Sequence, residues 1–184
     1  MNIVLDLDET LVSVTTKPTT VYDFKFAITG QTYFVRKRPY LDKFLKYIFG
    51  RFNTVSVWTA ATRPYAEQVL LGIMTPVQLK SLSFLKTRDD LKVNSLGRYT
   101  KPLHRIFNTH PTIQRHNTIM IDDKRSVMVE NLGNAIIVPA WTGSELTDKS
   151  LAQLIIVLSG VLEHQDQLSF DVFNEVIYLK DIVQ

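Results

Sequence analysis

The chain has 184 residues, a length that suits one domain, and 45% hydrophobic and 21% charged residues with a formal net charge of +3, a globular rather than a disordered composition. It contains no cysteine, which excludes disulfides, cysteine-ligated zinc and a cysteine nucleophile. The apolar stretch after Met1 is interrupted by Asp6 and Asp8, unlike a secretory signal, and the late run from Leu154 to Leu158 is far short of the ~20 residues of a membrane span, so an intracellular protein, nuclear or cytoplasmic, is expected, with no membrane partner.

Residues 2–7 open the chain as a predicted strand. Ile3, Val4 and Leu5 are continuously apolar, which suits a parallel strand buried on both faces. Residues 21–28 and 31–36 alternate about Thr29-Gly30 and predict a hairpin. Arg36, Lys37 and Arg38 form a basic run too short for a nucleic-acid patch, so no direct nucleic-acid partner is expected. Pro39 opens a helix whose stripe is Leu41, Phe44, Leu45 and Ile48. Residues 53–58 predict a second buried strand, and Pro64 a helix carrying Ala66, Val69, Leu70 and Ile73. Short strands at 83–87 and 91–93 with a turn near Gly97 suggest a small insertion around 72–100. A helix follows Pro102, and residues 118–121 form a strand ending in Asp122-Asp123. Residues 134–138 form another strand, and helices cover 150–162 and 169–179. Strands alternating with helices predict a single α/β domain over 1–184 with a mainly parallel sheet. Ligands of such sheets bind beyond the carboxyl ends of the strands, which is where Asp6, Asp8, Thr59, Asp122 and Asp123 fall.

Asp6-Leu7-Asp8-Glu9-Thr10 carries the strongest chemical signal. Phosphate-ester hydrolysis needs a nucleophile, a proton donor for the leaving oxygen and cations that offset charge. One carboxylate can serve as nucleophile through an acyl phosphate and a second as acid and then base. Two anions beside a phosphate call for a divalent cation, and magnesium suits an all-oxygen site. A structural calcium loop is the competing reading of the spacing. It is disfavoured because Leu11 stands where such a loop needs glycine and Lys17 where it needs glutamate. Asp122-Asp123 can complete an oxygen-rich pocket if its strand neighbours the first, or else cap a helix. Thr59 with nearby N–H groups can hold phosphate oxygens, and Lys101 can neutralise one. His104, His110, His116 and His164 make no metal motif, and Trp58 and Trp141 suit packing.

Asp6-x-Asp8-x-Thr10, Thr59, Lys101 and Asp122-Asp123, in this order, resemble the haloacid dehalogenase superfamily. Within it, Leu5 to Val12, Arg36 to Leu41, Val57 to Ala61, Ile121 to Asp123 and Val138 to Trp141 are similar to the RNA polymerase II C-terminal-domain phosphatases with the NLI-interacting-factor homology domain. The resemblance implies a three-layer α/β/α fold with a small inserted β segment, and a magnesium-dependent phosphoserine or phosphothreonine phosphatase working through an aspartyl-phosphate. The partner it implies is a phosphorylated protein such as the polymerase tail. It implies Asp6 as nucleophile and magnesium ligand. Asp8 would be acid and base and bind the metal through its carbonyl, with Thr10 supporting the loop. Thr59, Ala60, Arg88 and Lys101 would bind substrate, Asp123 the metal, and Asp122 would support Lys101. A phosphatase of small metabolites or nucleic-acid ends, and an inactive phosphopeptide-binding scaffold, are the alternatives.

Overall fold

A computed structural model describes residues 1–165 and 177–179. The chain runs through β1 (Asn2–Leu5), β2 (Val12–Thr15), β3 (Phe24–Ile28), β4 (Gln31–Lys37), α1 (Leu41–Arg51), β5 (Thr54–Trp58), α2 (Arg63–Ile73), α3 (Pro76–Lys80) and β6 (Leu82–Lys86). It continues through β7 (Lys92–Val93), β8 (Tyr99–Thr100), α4 (His104–Phe107), β9 (Thr118–Asp122), β10 (Ala135–Ile137), α5 (Ser150–Glu163) and β11 (Ile177–Tyr178). The main sheet has the order β11-β10-β9-β1-β5-β6, and every neighbouring pair is parallel.

The apolar runs fold this way because both faces of the sheet are covered. Side-chain alternation sends Ile3, Leu5, Val55, Val57, Ile119 and Ile121 into one core with the apolar stripes of α1, α2 and α5. Val4, Trp58 and Met120 point the other way and pack with Leu103, Ile106, Ile113 and Met128. In α1 the buried residues are Leu41, Phe44, Leu45 and Ile48, the stripe that the periodicity predicts. The helix starts at Leu41 rather than at Pro39 because Tyr40 takes a left-handed conformation with φ 67.

A second, three-stranded antiparallel sheet has the order β2-β4-β3. The hairpin β3–β4 is the predicted one, turning through Thr29 at φ 46 and Gly30 at φ 82. Its first strand begins at Phe24 rather than at residue 21, and β2 is a strand the sequence reading did not include. Between residues 72 and 100 lie α3, the edge strand β6 of the main sheet, and the small hairpin β7–β8. The helix expected over 169–179 is corrected at its end. Ile177 and Tyr178 form β11, whose backbone pairs with Ile136 and Ile137 of β10, which would otherwise be a bare sheet edge. The rest of that helix lies outside the described residues.

Arg38 joins the two sheets. It is 1% exposed, and its guanidinium grips both carboxylate oxygens of Asp148, from Nε and Nη2, each at 2.9 Å. The same group donates to the carbonyls of Thr10 (3.0 Å), Glu9 (3.3 Å) and Pro139 (2.8 Å) and to Ser150 Oγ (2.9 Å). The planar fork with its five donors reaches six acceptors, so at least one hydrogen is shared between two of them, a spread that an ammonium with three donors cannot cover. Arg38 thereby ties the loop after Asp8 to the turn that precedes α5.

Removing one partner of a buried ion pair costs about 3–5 kcal/mol, so Arg38→Ala is expected to lose a stability of that size in urea unfolding. Burial of Asp148 works against its charge, but the Arg38 hydrogen bonds and charge, with the bonds to Ser150, outweigh it and hold the carboxyl below its ordinary 3.8. A carboxyl depressed in the folded state stabilises fully above its unfolded pKa and loses that contribution as pH falls toward the folded one. Wild type is therefore expected to lose stability in acid below about pH 3.8 more steeply than Asp148→Asn, measured by urea titration at stepped pH.

Candidate active site

The register of the central strands assembles the site. Leu5 of β1 pairs with Ile121 of β9 on one side and with Val57 of β5 on the other. The residues that follow therefore emerge side by side, and Asp6 N donates to Ile121 O at 3.0 Å. Asp6 and Asp122 become neighbours at one sheet edge, with Thr59 just past the end of β5. The condition under which Asp122-Asp123 could join Asp6, adjacency of their strands, is met.

Lys101 lies between the two carboxylates. Its Nζ donates to Asp6 Oδ1 at 2.6 Å and to Asp122 Oδ2 at 2.7 Å, and the side chain is 1% exposed. Burial alone would discharge this ammonium, but the charges of Asp6 and Asp122 and the bonds to them hold its pKa above the ordinary lysine value. The backbone of Lys101 is clamped as well. Its N–H donates to Val127 O, and its carbonyl accepts from Nδ2 of buried Asn131, whose Oδ1 takes the N–H of Leu103. Sequence reasoning missed Asn131, since an asparagine in a connection carries no signal of its own.

Asp8 has a different environment. Tyr65, in the first turn of α2, donates its hydroxyl to Asp8 Oδ1 at 2.5 Å. Burial, then the charge of Asp6, pushes the Asp8 carboxyl up to about 6 against the pull of that hydrogen bond. A carboxyl held there can carry a proton near neutrality, as a general acid must. Tyr65 packs edge-on against Phe26 and Tyr33 of the antiparallel sheet, so the β3–β4 hairpin helps to aim it. Its burial and the Asp8 charge keep the phenol protonated. Tyr65 was also missed, and only its place after Pro64 at a helix start could have drawn notice.

The remaining expected residues surround one pocket of about 580 Å³ lined by Asp6, Asp8, Thr59, Ala60, Arg88, Lys101 and Asp122, with Tyr65 and Lys124 among the others. Thr10 stands behind it and donates to Asp6 Oδ2 at 3.2 Å. Thr59 Oγ1 accepts from Ala61 N at 3.1 Å, which leaves its own hydrogen free to donate. Arg88 Nε is anchored on Ala60 O at 3.0 Å at the exposed rim. None of the four histidines lines this pocket.

Asp6, Asp122 and Asp123 each bring a carboxylate oxygen within 4.8 Å of the others. Asp123 Oδ1 is buried and has no hydrogen-bond partner among the described residues. Burial, then the neighbouring charges of Asp122 and Asp6, drives the Asp123 carboxyl up. A hard, oxygen-loving cation fits these observations, because it would satisfy the orphan oxygen and relieve the repulsion together. Lys124 stands at the edge, 3.6 Å from Glu9 and 3.9 Å from Asp123.

A family model described as NLI interacting factor-like phosphatase matches residues 1–169. A "Probable C-terminal domain small phosphatase" of Dictyostelium discoideum is 31% identical over 168 residues, which cover 89% of this chain and 51% of that protein. "Nuclear envelope morphology protein 1" of Saccharomyces cerevisiae is 28% identical over 174 residues, covering 86% of this chain and 38% of that protein. The chain thus spans about half the length, or less, of these curated relatives. The solved structure of Fcp1, "an essential RNA polymerase II CTD phosphatase", superposes with a TM-score of 0.70 at 20% identity over 90% of this chain and 63% of that one. At that identity the likeness speaks to the fold.

Magnesium at 100 times its dissociation constant would stabilise a single-site protein by about 2.7 kcal/mol, and a thermal shift of that order is expected here. Asp123→Asn is expected to melt higher than wild type in EDTA, because repulsion is relieved, and to lose the magnesium-dependent shift. An equal shift in both proteins would remove Asp123 from the metal site.

Proposed function

The chain belongs to the NLI interacting factor-like phosphatase family, and on that premise we propose that it hydrolyses phosphate monoesters of serine and threonine in proteins through an aspartyl-phosphate on Asp6. The observation that carries this reading is the unequal treatment of two adjacent carboxylates. Asp6 accepts hydrogen bonds from Lys101 and Thr10, whereas Asp8 is buried against Tyr65 with its pKa pushed up to about 6. The first is suited to attack and the second to deliver a proton.

In the first step Asp6 attacks phosphorus. The phosphorus–carboxylate bond forms as the bond to the leaving oxygen breaks, and Asp8 gives its proton to that oxygen. In the second step Asp8, now ionised, takes a proton from water as the water oxygen attacks phosphorus, which frees Asp6 and inorganic phosphate. The Thr59 hydroxyl, the backbone around Ala60 and the Lys101 ammonium hold the phosphoryl oxygens, where charge develops in the transition state. Arg88 meets the substrate at the rim. Asp122 keeps Lys101 in place, and Asn131 fixes the backbone that carries it. Asp6, Asp123 and the Asp8 carbonyl would hold a magnesium ion, whose charge offsets that of the carboxylates and the phosphoryl group. Relatives named for the polymerase C-terminal domain support a phosphorylated protein inside the cell as the substrate class.

Three measurements test the scheme. Phosphate release from an aryl phosphate is expected with magnesium and not with EDTA, and Asp6→Asn is expected to abolish it. General acid–base catalysis is worth about 10²–10⁴-fold, so Asp8→Asn should lose that much on a phosphoserine peptide. A nitrophenolate leaving group needs no proton, so with nitrophenyl phosphate the same variant should give one stoichiometric burst and then turn over slowly. Absence of the burst, with both substrates slowed alike, would take the two proton transfers away from Asp8.

A further inference from the structure

A second groove, of about 720 Å³, opens beside the catalytic pocket and shares Asp8, Tyr33 and Tyr65 with it. Its walls come from β2, from β4 and from the loop 142–144, and they are rich in hydroxyl groups, among them Ser13, Thr15 and Thr142. No step of the proposed hydrolysis uses it.

The charges in this groove are unevenly paired. Its two anions, Asp8 and Glu9, sit at the catalytic end and have partners, Tyr65 and Lys124. Its two cations, Arg36 and Lys17, make no ion pair among the described residues. Lys17 is exposed, as surface lysines are, but Arg36 is half-buried. A guanidinium withdrawn from water without an anion is an unfavourable arrangement that an arriving anion would relieve.

Arg36 is also held in place. It donates to the carbonyl of Gly143. Gly143 has φ 89, and a Cβ there would stand 2.9 Å from Ser13 Oγ, so only glycine lets this loop approach β2 closely enough to offer that carbonyl. One nitrogen of the guanidinium is used in positioning, and the side chain lines the groove. Arg38, just past the end of β4, is treated oppositely. Its fork ends on protein acceptors and its charge is matched by Asp148.

We propose that this groove is a subsite for a second anionic group of the substrate, a phosphate or a carboxylate carried near the scissile phosphate on the same polypeptide, bound by Arg36 with Lys17 at its mouth. The subsite rests on the phosphatase reading for its substrate class. It makes the protein selective for clustered phosphorylation or for phosphorylated residues in acidic surroundings. Arg36 acts on affinity and not on the chemistry, since it lies outside the catalytic pocket.

The test compares three phosphopeptides of one sequence: singly phosphorylated, carrying a second phosphoserine two to four residues away on either side, and carrying glutamate at those positions. Binding is read by fluorescence anisotropy with magnesium on Asp6→Asn, which holds the peptide unhydrolysed, and on Asp6→Asn with Arg36→Gln. A charged hydrogen-bonded contact of this kind is worth about tenfold or more in affinity, so the second anion is expected to tighten binding by about that factor. Arg36→Gln is expected to erase the gain and leave the singly phosphorylated peptide unchanged. A gain with phosphate alone identifies a phosphate subsite, and a gain with glutamate as well a general anion subsite. Equal binding of all three peptides, or a gain that survives Arg36→Gln combined with Lys17→Gln, overturns the proposal. Aryl-phosphate turnover by the single variant Arg36→Gln is expected at the wild-type rate. Turnover absent from wild type while the binding gain persists would overturn the phosphatase reading and leave the subsite standing.

Discussion

Four carboxylates, those of Asp6, Asp8, Asp122 and Asp123, crowd the carboxyl end of two neighbouring strands, and one buried ammonium, that of Lys101, keeps the arrangement together. Like charges so close, in a region largely shielded from water, cannot all ionise without compensation. Lys101 answers for two of them by bonding Asp6 and Asp122 at once. Asp8 is answered differently, by a neutral phenol, and is left close to protonation. Asp123 is answered by no buried protein group, and its inner oxygen stays without a partner. The site is thus graded from a saturated pair, through a carboxyl poised to exchange a proton, to one that fits a cation from outside. Two aspartates separated by one leucine thus stand in unlike environments, one against an ammonium and the other against a phenol.

A second buried cation steadies the frame in which this happens. Arg38 contributes nothing to the pocket, yet it holds the carbonyls of Glu9 and Thr10, directly after Asp8, against Asp148 and Pro139 from the other end of the chain. Glu9 itself turns with φ 62. Such a residue stays in a sparsely populated conformation only where its surroundings over-determine it, and here the guanidinium and the Trp141 N–H on the Glu9 carbonyl do so. Two residues earlier, within β4, Arg36 lines a groove and bonds no carboxylate among the described residues. The basic run Arg36-Lys37-Arg38 therefore divides into a structural cation, a surface cation paired with Asp42 and a cation turned toward open space.

The antiparallel sheet of β2, β3 and β4 belongs to the site more closely than its place outside the main sheet suggests. Through Phe26 and Tyr33 it supports Tyr65, and through Tyr65 it reaches Asp8. Its other strand surfaces wall the second groove. The same small sheet thus both supports the phenol on Asp8 and walls the second groove.

Part of this architecture follows from local pattern. The continuous apolar run Ile3-Val4-Leu5 and the largely apolar segments 53–58 and 118–121 suit strands covered on both faces, so the parallel sheet and the placing of Asp6, Thr59 and Asp122 at its carboxyl edge are legible in the sequence. The same holds for the helix stripes and for the Thr29-Gly30 turn, where Gly30 takes φ 82 readily and Thr29 at φ 46 is held there by the pairing of the two strands. Tertiary structure alone decided which side chains from distant segments would meet. Tyr65 on Asp8, Asn131 on Lys101 and Asp148 on Arg38 are separated by 57, 30 and 110 positions, and no periodicity marks any of them. The same is true of the short strand at Ile177 and Tyr178, which exists because β10 offers it an edge. A residue's own chemistry and its immediate neighbours set what it can do. What it does is set by the partner that burial brings to it, and burial is a property of the whole fold.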